Sequence, residues 1–190
     1  IAPTKYVNYI NPYIPEYFKK SEQLTKPLIA IHCKNQRTAA KIIKTFYLKY
    51  PIYRFIAFKD MHGMTENDFA NNLKECAISV WVDDKSTFGT FPVESIKCDV
   101  PVIGKIPDIL PEWMSDDNGI WVYDENQIPD LIFTYIKNWL EDLLPENFDD
   151  IGKDVEDKYT YEIFEKSVLE TFKSYVDEKI DNLNKIMENI

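Results

Sequence analysis

The stretch that decides the fold runs from residue 83 to residue 103: Asp83-Asp-Lys-Ser-Thr-Phe-Gly-Thr-Phe-Pro-Val-Glu-Ser-Ile-Lys-Cys-Asp-Val-Pro-Val-Ile103. It follows an apolar run, Ala77–Val82, that reads as a buried strand. It turns through Phe88-Gly89, opens a helix at Pro92 and closes on a further strand over Val100–Ile103. Gly89 and the first turn expose backbone N–H groups at a helix N-terminus, which favours an anion. Glu94 reads as a first-turn carboxylate, stabilised by the helix dipole and able to accept both hydroxyls of a ribose.

Outward from this segment, strand and helix alternate. Leu28–Ile31 is a short apolar run. Residues 37–49 carry Ala40, Ile43, Phe46 and Tyr47 at helical spacing. Tyr53–Phe58 reads as a second strand. Thr65 with Asp68 marks a helix start whose apolar side is Phe69, Leu73 and Cys76. A fifth strand is expected at Gly119–Val122 and a helix over Ile128–Leu144. The alternation predicts an α/β domain, a doubly wound parallel sheet of Rossmann-like type with helices on both faces. Ligands of such sheets bind at the carboxyl ends of the strands, here the loops 32–37, 59–65, 83–91 and 104–108.

The flanks differ from this frame. Residues 1–27 hold Pro3, Pro12, Pro15 and Pro27 among tyrosines and phenylalanines, and read as an extended arm. Residues 28–145 form the expected α/β domain, and 146–190 a helical extension. Within the extension, residues 160–188 form a long helix capped by Thr160, with a stripe of Phe164, Val168, Phe172, Val176, Ile180, Leu183 and Met187. Two readings of that stripe stay open. It packs against its own domain, or its outer half from Val176 docks on an absent domain or a second copy.

Composition narrows the function. Five glycines stand in 190 residues, where roughly thirteen is usual. None is clustered, which excludes the GxGxxG fingerprint and the Walker loop. Residues 1–95 hold 13 Lys+Arg against 9 Asp+Glu, a net of +4, and residues 96–190 hold 9 against 23, a net of −14. The basic surplus gathers at Lys26, Lys34, Arg37, Lys41, Lys44, Lys49, Arg54 and Lys59. It suits a small anion, while the net charge of −10 opposes nucleic acid. Cys33, Cys76 and Cys98 form no CxxC, so neither zinc site nor disulfide framework is indicated, and Cys33 and Cys98 read as buried apolar residues. A reducing, cytoplasmic setting is expected, with no transmembrane segment. His32 beside the basic loop reads as a neutral strand-end histidine within reach of phosphate. The start at Ile1 suggests processing or excision from a longer chain.

The 83–103 segment resembles the signature of the C-terminal domain of glycosyltransferase family 4, a GT-B fold group of retaining sugar transferases. Phe88, Gly89, Glu94, Pro101, Val102 and Ile103 carry the resemblance. Lys34 and Arg37 look like the family's basic loop, Pro107 to Trp113 like the helix after its Pro-Val-Ile strand, and Asn118-Gly119 like the turn before the next strand. The resemblance extends over roughly residues 8–175, and it implies that residues 28–145 are a Rossmann-like nucleotide-sugar-binding domain and residues 1–27 an extended interdomain arm. It implies a nucleoside diphosphate sugar of hexose type as donor, with Lys34, Arg37 and the backbone of Thr87–Phe91 on the diphosphate. The donor site it implies comprises Lys34, Arg37, Ser86, Thr87, Phe88, Gly89, Thr90 and Glu94, with Glu94 on the ribose and no metal or cofactor. It also implies an acceptor-binding domain preceding Ile1, without which this segment would not turn over.

Two departures stand out. Ser86 occupies the position of the family's first glutamate, leaving Asp83 or Asp84 to supply an acidic contact to the sugar. Lys105-Ile106 replaces the usual Gly-Gly. The alternative reading is a non-enzymatic α/β module that assembles through the aromatic arm and the last helix, with a homodimer through 176–190. Single-stranded nucleic-acid binding through Lys41, Lys44, Tyr47 and Tyr50 is the weakest reading, because helical spacing already explains the tyrosines as core.

Overall fold

Five parallel strands carry the molecule's centre: β1 (Lys26–Cys33), β2 (Ala57–Asp60), β3 (Cys76–Val82), β4 (Val102–Lys105) and β5 (Gly119–Val122). Their order is β2-β1-β3-β4-β5. This is a computed structural model, and it describes residues 10–22, 24–144, 148 and 150–187. The described chain forms two units, one over residues 16–156 and one joining residues 10–15 to 157–187.

In the larger unit, helices α1 (Gln36–Lys49), α2 (Glu66–Lys74) and α3 (Thr90–Lys97) cross between strands, and α4 (Ile128–Leu140) and a short α5 (Lys153–Glu156) follow the last strand. α1 packs with α4, and α2 with α3. β3 is buried along its whole length, as a central strand covered by helices on both faces must be. Side chains alternate across β1. Ile29, Ile31 and Cys33 join Ile42, Phe46, Ile132, Tyr135 and Ile136 in one core. His32 points to the other face and stacks on Phe91 of α3. The expected parallel, doubly wound α/β sheet is the one observed.

Several element boundaries move, each for a local reason. The strand expected at Tyr53–Phe58 is instead Ala57–Asp60. Pro51 opens a single 3₁₀ turn over Pro51–Tyr53, and the Ile56 N–H donates to the Tyr53 carbonyl at 3.0 Å, which delays the extended chain. The fourth strand starts at Val102 rather than Val100. Asp99 takes a positive φ of 64° there, and the Val100 N–H turns back to the Ser95 carbonyl. α4 stops at Leu140, short of Leu144. Asp142 takes the left-handed conformation at φ 55°, and the Leu143 N–H reaches back to the Asn138 carbonyl at 2.8 Å, which closes the helix. Residues 107–113 form no helix, because Pro107 and Pro111 both lack the N–H a helix interior would use. On α1, Ala40 is exposed, and Ile42 takes its place in the core.

The smaller unit is built on α6 (Tyr161–Met187). Thr160 accepts the Ile163 N–H at 3.3 Å, as its place before the helix predicts. Residues 10–15 lie along the first turns of α6: the Ile14 N–H donates to the Tyr159 carbonyl, Asn11 N–H to Ser167 Oγ, and Tyr13 packs on Tyr161 and Phe164. Beyond Val168 the stripe stays in solvent: Phe172, Val176, Ile180, Leu183 and Met187 are all exposed. No helix among the described residues is long and apolar enough to cross a membrane.

Candidate donor-binding site

In this strand order the connections leave β1 and β3 toward opposite edges of the sheet, and a crevice opens between them at the carboxyl ends. Two helices begin at that crevice. α1 is capped by Asn35, whose side chain accepts the Arg37 N–H at 3.0 Å. α3 is capped by Gly89 at φ 75°, and no side chain caps it. A Cβ on Gly89 would stand 2.9 Å from the Trp81 indole and 3.0 Å from Pro92, so only glycine fits this turn. The Phe88 carbonyl accepts the Trp113 indole N–H at 2.6 Å, which pins the loop from the far side. Below, the Ser95 hydroxyl lies 2.7 Å from the Ser79 hydroxyl and 2.9 Å from the Val100 carbonyl, tying α3 to β3.

The helix therefore begins two residues earlier than Pro92. That displaces Glu94 from the first turn to the fifth helical position, and the first turn of α3 carries no acid. The expected dipole stabilisation of its carboxylate is replaced by the opposite effect. Burial, reinforced by Glu66, pushes the Glu94 carboxyl up to about 7. Glu94 lines a small cavity of about 130 Å³ with Phe18, Met64, Glu66 and Phe69, and the Tyr17 hydroxyl holds Glu66.

The basic side lies in a second cleft, of about 240 Å³, lined by Lys34, Asn35, Thr38 and Val82–Lys85 together with Glu125. Lys34 Nζ is 3.8 Å from Asp83 Oδ2. Lys105 Nζ lies 2.6 Å from Asp84 Oδ1, so the lysine standing where the resembled family has glycine neutralises one of the paired acids. Asp83 also accepts the Lys85 N–H at 3.2 Å. Arg37 sits on the exposed first turn of α1, beside Lys34 in sequence but outside the residues lining that cleft. Ser86, Thr87 and Thr90 lie in or next to the loop between β3 and α3, with Thr87 and Thr90 exposed. The loop thus unites Ser86, Thr87, Phe88, Gly89 and Thr90, while Lys34 and Glu94 line different clefts.

Sequence reading missed what lies alongside. The rings of His62, His32 and Phe91 form a continuous stack, with centroids 4.4 Å and 5.0 Å apart. Asp60 holds His62 through its ring Nδ1 and its backbone N–H, which keeps the Asp60 carboxyl below the usual carboxylate range. Burial, then the neighbouring His62, holds His32 below its usual value. The available signal was positional: His62 lies in the loop 59–65 that follows a parallel strand. All three cysteines are buried, and burial pushes each thiol up to about 12.

No family model matches the sequence. Over 127 residues the chain is 28 % identical to an alpha-1,6-glucosyltransferase of Actinobacillus pleuropneumoniae serotype 7 (strain AP76), covering 64 % of this chain and 38 % of that protein. Among solved structures, the C-terminal domain of the glycosyl transferase group 1 family protein LpcC from Francisella tularensis matches with a TM-score of 0.60 at 16 % identity, covering 77 % of this chain and 97 % of that one. The fold is that of a GT-B glycosyltransferase C-terminal domain. A second GT-B match is the pneumococcal O-GlcNAc transferase GtfA, solved with UDP and GlcNAc, with a TM-score of 0.58 at 16 % identity over 86 % of this chain and 38 % of that one. The chain thus spans 38 % of the length of the curated glucosyltransferase it resembles.

Proposed function

We propose that this chain is the donor-binding part of a glycosyltransferase that moves a hexose-type sugar from a nucleoside diphosphate sugar to an acceptor, with retention at the anomeric carbon. The observation that supports the reading is a helix terminus without a side-chain cap, at Gly89, reached from the carboxyl end of β3, while Lys34 follows the carboxyl end of the neighbouring β1 and lines a cleft with Val82–Lys85. The likeness to a glucosyltransferase supports the sugar, and the UDP complex of GtfA, a protein of the same fold, supports the nucleotide.

In this reading the diphosphate lies over the Ser86–Thr90 loop. Lys34, Arg37 and the backbone N–H groups of Thr87–Phe91 neutralise the charge that grows on the leaving nucleotide as the glycosidic bond breaks. Preformed donors lower that barrier because they need no reorganisation during the reaction. Glu94 in its ionised form accepts the ribose hydroxyls, and the bound hydroxyls draw its carboxyl back down. The acceptor is bound by a further domain, a reading that the 38 % coverage of the curated relative supports, so residues 1–190 bind donor without turning it over. The setting is cytoplasmic, with neither nucleic acid nor a cofactor beyond the donor.

Calorimetric titration of the 190-residue chain with UDP, GDP, ADP and their sugars tests this. One nucleoside diphosphate should bind, and the corresponding nucleoside more weakly. Absence of binding by every member of the panel overturns the reading.

A second reading has its own observation. The exposed stripe from Phe172 to Met187 suits a module that assembles through α6, as a homodimer over 176–190. Light scattering of the chain and of a truncation after residue 175 separates the two.

A further inference from the structure

The basic surplus of residues 26–59 is only partly used by the donor site. Part of the remainder, Lys44 and Arg54, lies toward the other end of the same unit. α1 runs back from the carboxyl edge of the sheet, so its last turn, the 3₁₀ turn Pro51–Tyr53 and the start of β2 all reach the amino edge. There Leu48 is 71 % exposed, Ile52 80 % and Phe55 56 %. Phe55 is backed by the Tyr53 ring, with centroids 5.8 Å apart, and Tyr53 packs edge-on against Phe133. Three large apolar side chains are thus held out on a short, anchored piece of backbone.

Cations frame them. Arg37, Lys41, Lys44 and Leu48 follow one another along α1 at spacings of four, three and four, which places them on one outward stripe. Lys44 precedes Leu48 by one turn, and Arg54 stands between Ile52 and Phe55. Both are exposed, and neither makes an ion pair among the described residues. Asp130, an acid at the start of α4, is taken up by Lys49 at 2.9 Å and by the Tyr50 hydroxyl at 2.7 Å.

We infer that this amino edge docks on an anionic lipid surface, with Leu48, Ile52 and Phe55 entering the acyl boundary and Lys44 and Arg54 lying in the phosphate layer. Nucleic acid would match the cations but leave the three apolar groups in water. An anionic bilayer satisfies both. The chain's net negative charge does not prevent this, because charges more than about 8 Å from the surface are screened at physiological salt. The docking edge lies opposite the carboxyl-edge crevice, so the inference stands or falls independently of the donor reading.

Vesicle flotation of the 190-residue chain tests it, using phosphatidylcholine alone and phosphatidylcholine with phosphatidylglycerol in equal parts. The protein should float with the anionic vesicles, stay behind with the neutral ones, and be released by added salt. Lys44→Glu with Arg54→Glu should lower anionic binding about tenfold or more. Leu48→Ser, Ile52→Ser and Phe55→Ser together should do the same while the circular dichroism spectrum is kept. Failure of the unaltered chain to float, or flotation of both variants like the unaltered chain, overturns the inference. So does a dimer in light scattering that the triple serine variant abolishes, which would make the patch a contact between copies.

Discussion

The helices α1 and α3 follow the neighbouring strands β1 and β3, and their first turns are completed differently. Asn35 closes α1 with its own side chain. Gly89 closes α3 with backbone alone, in a conformation that Trp81 and Pro92 leave open only to glycine. A helix that caps itself has less to offer a ligand, and one finished by a bare glycine keeps its N–H groups for an anion. The carboxylate of Glu94 shows the same contrast in depth: it sits one position past the first turn, where burial outweighs the dipole.

That comparison can be broken in four places. The largest effect is expected from Gly89→Val. A positive φ and a Cβ pressed on the Trp81 indole should together cost about 3–5 kcal/mol in chemical denaturation. A loss below about 1 kcal/mol would mean that the turn is not as constrained as its geometry indicates.

Next comes Glu94→Gln. The folded carboxyl titrates near 7 and the unfolded one near 4.5. The native state therefore holds the proton more tightly, and its stability should fall as pH rises from 4.5 to 7. The cost is absent below that window and complete above it, up to roughly 3 kcal/mol. Glu94→Gln should flatten this slope and stabilise the protein at pH 8, while weakening nucleoside diphosphate binding. In the unaltered chain that binding should strengthen as pH rises through 7. An identical pH–stability profile in the two proteins would remove Glu94 from the account.

Lys34→Ala should weaken nucleoside diphosphate binding by about tenfold, near 1.4 kcal/mol, and leave nucleoside binding almost unchanged. Equal loss for both ligands would place Lys34 away from the phosphates. The smallest effect belongs to Asn35→Ala, which should cost about 1 kcal/mol of stability through the lost cap. If it weakened the nucleotide more than Lys34→Ala does, the anion would belong to α1 rather than α3.

Much of the frame is legible in the sequence. Short apolar runs separated by amphipathic stretches admit few arrangements other than a parallel sheet, and Thr65 and Thr160 announce their helices by type and position. Boundaries were less legible where a few residues compete. Pro51 diverts the chain into a 3₁₀ turn before β2, and Pro111 stops a helix that resemblance alone would place at 107–113. The candidate site was legible in its loop and illegible in its electrostatics. Nothing in the spacing of residues 83–103 shows that Glu66 of another helix faces Glu94, or that Lys105 reaches Asp84.

The sequence by itself determined the alternation of strand and helix, the glycine turn before α3, and the division into a basic half and an acidic half. These are properties of neighbouring residues, set by backbone sterics and by the period of apolar side chains. Only the tertiary structure decided the strand order that sets β1 beside β3, so that Lys34 and the loop leading to Gly89 follow neighbouring carboxyl ends. It alone stacked His62 on His32 and Phe91, buried the Glu94 carboxyl, and left Leu48, Ile52 and Phe55 in solvent. Burial and charge pairing depend on residues far apart in the chain, and periodicity carries no record of which distant partner covers a given side chain.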